Sequence, residues 1–243
     1  MGKYPSIEPD SLTREELVRL IDYTLLKPEE TLVAFACFIR TAVEWGFGAV
    51  FIPPFYVPMA CGMLSGSPVT VGTPISFPFG YSDTATKVAE ALYAIEEGAR
   101  ELAIVMNISA ALSGEWEIVE EDLSEVVRAV RTWEGNYLKG PVVVKAILGT
   151  QYLDIGQKEE ACRRAVLSGV DFVKAATCIE PGGGTPEDVS LIRSAVGDDV
   201  GVEAAGGIRT WEDARALIAA GACRIGTGTG PELTEGFIRA TET

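Results

Sequence analysis

Histidine is absent from the 243-residue chain. Its absence removes the usual general base near neutral pH, every Ser-His or Cys-His dyad, and any zinc site that needs imidazole. Acid–base chemistry must then fall to carboxylates, lysine, tyrosine, threonine or water. Positive charge is also short: 20 Lys and Arg stand against 35 Asp and Glu, a formal net charge of −15. Neither nucleic acid nor an anionic membrane is expected as a partner, since both call for a basic face. An anionic small molecule would have to be held by local donors. No C-x-x-C pair occurs among Cys37, Cys61, Cys162, Cys178 and Cys223, which excludes a zinc ribbon and a thioredoxin-type motif. Scattered and odd in number, these read as free thiols in a reducing compartment. There is no signal-peptide pattern and no apolar run long enough to span a bilayer, so a cytoplasmic location is expected. Asn occurs only at Asn107 and Asn136 and Gln only at Gln151 and Gln157, a scarcity of heat-labile residues that points to a hot habitat.

What is present is apolar residue in quantity, 47 % of the chain, enough for a sizeable core. It is arranged as one repeated module: a short apolar run, a Gly/Pro loop, an amphipathic helix. Thr13 and Glu16 have capping-box spacing before a first helical face of Leu17, Leu20 and Ile21. Strands are then expected over 21–26, 49–52, 69–75, 102–107, 142–148, 171–177, 201–205 and 224–226. Between them lie helical faces such as Leu32, Phe35, Ile39 and Val43, or Leu123, Val126, Val127 and Val130. The charged stretch 115–121 reads as a solvated helix start. Thr185-Pro186 and Thr210 supply N-caps for later helices. Near-continuous apolar strands alternating with helices predict a parallel sheet covered on both faces. Eight such units in this length favour a (β/α)8 TIM barrel over an open doubly wound sheet, with an extra N-terminal helix and residues 1–243 as a single barrel domain.

Working groups in such a barrel belong at the C-terminal ends of the strands. Three glycine-rich loops fall there late in the chain: Gly182-Gly183-Gly184-Thr185, Gly206-Gly207-Ile208-Arg209-Thr210 and Gly226-Thr227-Gly228-Thr229-Gly230. Glycine lets backbone N–H groups approach a phosphate, and a following helix N-terminus adds positive potential, although tight βα turns alone also want glycine. Lys145 and Lys174 stand inside two neighbouring predicted strands. Desolvation and mutual repulsion would lower a lysine pKa and make the amine a Schiff-base nucleophile. The alternative is a structural ion pair, such as Lys174 with Glu203 on the next strand.

Several of these segments together resemble the deoxyribose-phosphate aldolase family. They are Ile21-Asp22-Tyr23-Thr24-Leu25-Leu26-Lys27-Pro28; Phe77-Pro78-Phe79-Gly80 with Thr86-Lys87 and Glu90; Phe172-Val173-Lys174 with Gly183-Gly184-Thr185-Pro186; Ala205-Gly206-Gly207-Ile208-Arg209-Thr210; and Arg224-Ile225-Gly226-Thr227. The resemblance runs in order over nearly the whole chain. It implies a class I aldolase that needs no metal or other cofactor, with Lys174 as the Schiff-base lysine and a small carbonyl donor plus a sugar-phosphate-type aldehyde as substrates. It further implies phosphate-binding backbone at Gly206, Gly207, Gly226, Gly228 and Thr229, site positions at Asp22, Thr24, Asn107, Lys145 and Thr177, and a homo-oligomer, dimer or tetramer. The chain departs from the family pattern where a proton-transferring aspartate is replaced by Ala103 and a second lysine by Glu203. Tyr23 stands for a histidine, Ala175-Ala176-Thr177 for a small polar run, and Ile179 for a lysine beside the phosphate. Glu203 is therefore expected to carry protons itself, aided by Tyr23 or water, or else to hold Lys174 in a non-catalytic, sugar-phosphate-binding barrel.

Overall fold

Strands too apolar to face water on either side must be covered on both, and closing a parallel sheet on itself does this without leaving an edge. The computed structural model, which describes residues 2–137, 140–177, 179 and 184–242, has that arrangement. Strands β1 (Ile21–Thr24), β2 (Ala49–Phe51), β3 (Thr70–Ile75), β4 (Glu101–Val105), β5 (Val143–Ile147), β6 (Phe172–Lys174), β7 (Gly201–Ala205) and β8 (Arg224–Thr227) pair in chain order, all parallel, and β8 closes on β1. Helix α1 (Arg14–Leu20) precedes the first strand. The outer ring then runs α2 (Leu32–Trp45), α3 (Val57–Met63), α4 (Thr84–Glu96), α5 (Ile108–Leu112), α6 (Trp116–Tyr137), α7 (Ile155–Leu167), α8 (Pro186–Val196), α9 (Trp211–Ala219) and α10 (Gly230–Thr241). The fold is the (β/α)8 barrel.

Local chemistry sets the element ends. Thr13 and Glu16 form a reciprocal capping box at α1, and Thr210 with Asp213 does the same at α9. Thr185 caps α8 by accepting the Asp188 N–H at 3.2 Å. Most expected strands are shorter than their apolar runs, and for two of them the cause is plain. The run 102–107 ends at Val105 because the Asn107 carboxamide caps α5, accepting the Ala110 N–H at 3.0 Å. The run 171–177 pairs only over Phe172–Lys174, since its later residues bend into the βα loop. Helices α3 and α5 escaped the periodicity reading because neither is long enough to repeat a face.

Two rings fill the lower barrel. Phe51 fits because Gly72 opposite has no side chain: a Cβ there would lie 2.6 Å from the ring. Gly201 yields in the same way to Phe172, at 2.2 Å. Lys87, fully buried on the helix side, is tied to Asp122 at 2.5 Å and to the Val105 carbonyl at 3.0 Å, which pins α4 against α6 and β4. Glu90 accepts the Ser76 N–H at 2.8 Å, fixing the loop after β3.

Candidate active site

Side chains alternate along a strand, so one charged residue per strand at the right parity puts a ring of charge on the barrel axis. Six residues do this: Asp22 (β1), Glu101 (β4), Lys145 (β5), Lys174 (β6), Glu203 (β7) and Arg224 (β8). Three acids face three bases, and the set is neutral. Lys145 lies at the centre, bonded to Asp22, 2.8 Å from Glu203 Oε2 and 2.9 Å from Glu101 Oε2. Arg224, from the N-terminal end of β8, reaches Asp22 Oδ1 at 2.6 Å and Glu101 Oε1 at 3.1 Å. Above them, Lys174 Nζ has one acid partner among the described residues, Glu203 Oε1, at 2.6 Å.

This pairing corrects the expectation of two mutually repelling lysines. Glu203 sits between them and gives each one oxygen. Burial alone would depress the Lys145 amine, but Asp22, Glu101 and Glu203 together outweigh it and hold the group well above the ordinary lysine value. Burial would likewise lift the Glu203 carboxyl; the Lys145 and Lys174 ammoniums overcome that and hold it well below the usual carboxylate range. Asp22 goes the other way. Burial pushes it up to about 6 against the pull of Arg224 and Lys145, with the Glu203 and Glu101 charges adding to the rise. The rings of Phe51 and Phe172 lie 4.5 and 5.3 Å from Lys145 Nζ, and Phe51 is 5.2 Å from Lys174 Nζ. They keep water out of the ion cluster while offering their negative faces.

Over Lys174, at the C-terminal end of the barrel, a cavity of about 430 Å³ opens. Its lining includes Thr24, Thr177, Gly206, Gly207, Gly226, Gly228 and Thr229, so these seven site residues from the sequence do share one surface. Gly206 and Gly207 adopt φ of 116° and 70°, which a side chain would resist. Thr227 and Thr229 pin the last loop: the Thr227 hydroxyl donates to the Ile208 carbonyl at 2.7 Å and accepts the Thr229 N–H at 3.1 Å. Helix α10 then starts without a side-chain cap, leaving N–H groups and positive potential at the rim. Two cations the sequence reading left without a role, Lys27 and Arg209, also line the cavity, with Glu30, Phe38 and Ile179. Charge among the Leu-Leu-Lys-Pro and Gly-Gly-Ile-Arg loop residues was the available signal.

Asn107 stands apart, its carbonyl oxygen spent on the α5 cap. Tyr23 is no helper to Lys174. It lies between two inward residues, faces outward, and stacks on Phe38 with centroids 3.7 Å apart; burial pushes its phenol up to about 12. Glu101 and Arg224 were missed as members of the ion cluster, though a charge beside an apolar strand was visible at both. Cys178, Gly182 and Gly183 lie outside the described residues. Gly184 does not. Its N–H points at Thr150 Oγ1, 3.4 Å away, and a Cβ would come within 2.2 Å of the Ala205 carbonyl.

No family model matches the chain. A curated deoxyribose-phosphate aldolase of Thermoanaerobacter sp. (strain X514) is 44 % identical over 219 residues, covering 90 % of this chain and 96 % of that protein. Among solved structures, QR15, an aldolase, is 36 % identical with a TM-score of 0.84, covering 91 % of this chain and 96 % of that one. The deoxyribose phosphate aldolase of Aeropyrum pernix, whose structure is described as tetrameric, is 30 % identical with a TM-score of 0.85 over 94 % of this chain and 93 % of that one.

Proposed function

The chain belongs to the deoxyribose-phosphate aldolase family, and from that premise we propose that it is a class I aldolase whose Schiff-base amine is Lys174. The observation that carries the reading is the position of Lys174. It is the member of the axial ion cluster with a single acid partner among the described residues, and its nitrogen lies 3.2 Å from the Cβ position of Gly226, a residue that lines the cavity of glycine loops.

A lysine ammonium and an aldehyde give an iminium and water with no net change of charge. Two protons leave nitrogen with the carbonyl oxygen. A nitrogen–carbon double bond forms as the carbon–oxygen double bond breaks. Glu203 Oε1, at 2.6 Å from Nζ, is placed to take the first of those protons and return it to the departing oxygen. Because nitrogen is positive before and after, the Glu203 charge is matched in both states. The same carboxylate is the nearest base for removing the proton next to the iminium carbon. The resulting enamine adds to an acceptor aldehyde, whose oxygen takes up a proton, and water then releases the product. Amine catalysis supplies the electrophile here, so the mechanism calls for no metal or other cofactor.

The acceptor end of the substrate belongs against Gly206, Gly207, Gly228 and Thr229, with Lys27 and Arg209 offering charge to a phosphate. Lys145 holds Glu203 and Asp22 holds Lys145, and neither is assigned a substrate contact. A homo-oligomer, dimer or tetramer, and a cytoplasmic location complete the proposal. Among the described residues no helix is long and apolar enough to cross a membrane.

A second reading rests on the Lys174–Glu203 pair itself. With Ala103 in place of an acid, the lysine would be held as an ammonium in a barrel that only binds sugar phosphates. Incubation with acetaldehyde, dihydroxyacetone or pyruvate, borohydride reduction and peptide mapping separates the two. An adduct at Lys174 supports the aldolase. No adduct with any of the three, with sugar-phosphate binding intact, supports the binder.

A further inference from the structure

Thr150 lies in the loop after β5, is 1 % exposed and takes no part in lining the cavity. It nevertheless touches both ends of the segment that follows Lys174. Its backbone N–H donates to the Ala175 carbonyl at 3.0 Å. Its Oγ1 accepts the Gly184 N–H at 3.4 Å. A hydroxyl has one proton, and here it goes to Asp188 Oδ2 at 2.8 Å, so towards Gly184 the oxygen can only accept. Asp188 is held in turn. Its backbone N–H donates to Thr185 Oγ1 at 3.2 Å, and its Oδ1 accepts from Lys158 Nζ at 2.6 Å. Gly184 is also seated from the other side, with φ of 69° and no room for a Cβ against the carbonyl of Ala205, the residue before Gly206-Gly207. Residues 175 and 184 are therefore fixed by one threonine, and between them Thr177 and Ile179 line the cavity.

Building on the aldolase reading, we propose that Thr150 is a positioning residue, a clasp that sets where Thr177 and Ile179 stand against the acceptor end of the substrate. The backbone bond fixes the first end of the segment whatever the side chain is. The hydroxyl fixes the second. Lys174 does not depend on that hydroxyl, since its carbonyl accepts the Leu148 N–H at 3.0 Å and its amine is paired with Glu203. Loss of the hydroxyl is therefore felt when the acceptor binds and not when the iminium forms. The position is too buried for water to take over the hydroxyl's two bonds, so nothing replaces the acceptor that Gly184 loses.

Thr150→Val keeps the shape and the backbone bond and removes only the hydroxyl; Thr150→Ser keeps the hydroxyl. The valine variant should raise KM for cleavage of 2-deoxyribose 5-phosphate by ~10-fold with kcat little changed, the pattern of lost binding rather than lost chemistry. Borohydride-trapped labelling of Lys174 by acetaldehyde should stay close to the parent rate. Hydrogen exchange in the peptide carrying Gly184 should quicken by ~5–10-fold, as for one lost hydrogen bond, while peptides of β4 and β5 exchange as before. Thr150→Ser should restore both KM and exchange. A folded valine variant with a lower melting temperature but unmoved KM would overturn the clasp, as would a serine variant that restores neither value. Labelling slowed as much as kcat/KM would also overturn it, by placing the effect at the amine. Should the valine variant fail to fold, judged by its thermal transition, the Gly184 amide of the unaltered protein decides: exchange at the unstructured rate overturns the clasp, and protection supports it. A parent that neither cleaves the sugar phosphate nor takes label overturns the aldolase reading, and the exchange comparison then decides the clasp by itself.

Discussion

The two ends of the barrel interior solve the problem of buried charge in opposite ways. At the N-terminal end Arg224, Glu101, Asp22 and Lys145 are cross-bonded, sealed by Phe51 and Phe172, and Lys145 alone touches three carboxylates. At the C-terminal end Lys174 has one acid partner among the described residues, glycine replaces bulk beside it, and the cavity above is lined by the cations Lys27 and Arg209. Charge that is saturated with partners holds a structure together. Charge left with one partner, next to open space, is free to exchange it for a substrate. Glu203 joins the two ends by giving one oxygen to each lysine.

Breaking that link at Glu203 should have the largest consequence. Glu203→Gln keeps an acceptor for one lysine but removes the proton carrier. Turnover is expected to fall by ~10²–10⁴, the usual worth of a positioned acid–base group, while an aldehyde adduct at Lys174 stays detectable by mass. Turnover equal to the parent's would sink the assignment.

Next comes Lys145→Met, which strands Asp22, Glu101 and Glu203 in the sealed end. Removing one member of a buried ionic group typically costs ~3–5 kcal/mol, readable by urea unfolding. A loss under about 1 kcal/mol would show that the sealed end is less dry than its exposure indicates. Lys174→Met should cost less, because Glu203 keeps Lys145, yet abolish labelling altogether.

Asp22 offers a finer probe through pH. Its folded value of about 6 lies above the ordinary 3.8, so between these the folded state holds a proton that the unfolded chain has lost. That contribution is complete below pH 3.8 and is gone once pH has risen through 6. Asp22→Asn should remove it, so the variant's melting temperature should gain less than the parent's on going from pH 7 to pH 5. Identical pH dependence in both would place the titration elsewhere.

The smallest effect belongs to the open end. Lys27→Ala and Arg209→Ala should each weaken a phosphorylated acceptor several-fold, on the order of 1 kcal/mol, raising KM with kcat little changed. A fall in kcat with KM unmoved would mean that these cations act on the chemistry rather than on binding.

How much of this could be read in the chain differs from residue to residue. Thr13, Thr185 and Thr210 announced their helices because capping depends on residues three apart. The glycine loops announced the cavity because no other residue takes φ of 70° cheaply, as at Gly207. Lys174 was conspicuous because an ammonium does not belong inside an apolar strand. Which wall Gly226 faces could not be read, since that depends on strand parity within the closed barrel. Tyr23 was misjudged for the same reason: one residue from Asp22 is the opposite side of the sheet. Helices α3 and α5 gave too short a pattern to detect.

The alternation of apolar strands and helices, the absence of histidine and the presence of two strand lysines were settled by sequence alone. They fixed the architecture and restricted the acid–base repertoire, because both follow from local periodicity and side-chain chemistry. Which acid meets which base was decided only by closure of the barrel. Asp22 meets Lys145 across 123 residues of chain and Arg224 across 202. No local preference encodes such a contact; it exists because β8 pairs with β1, which brings both ends of the chain to one axis.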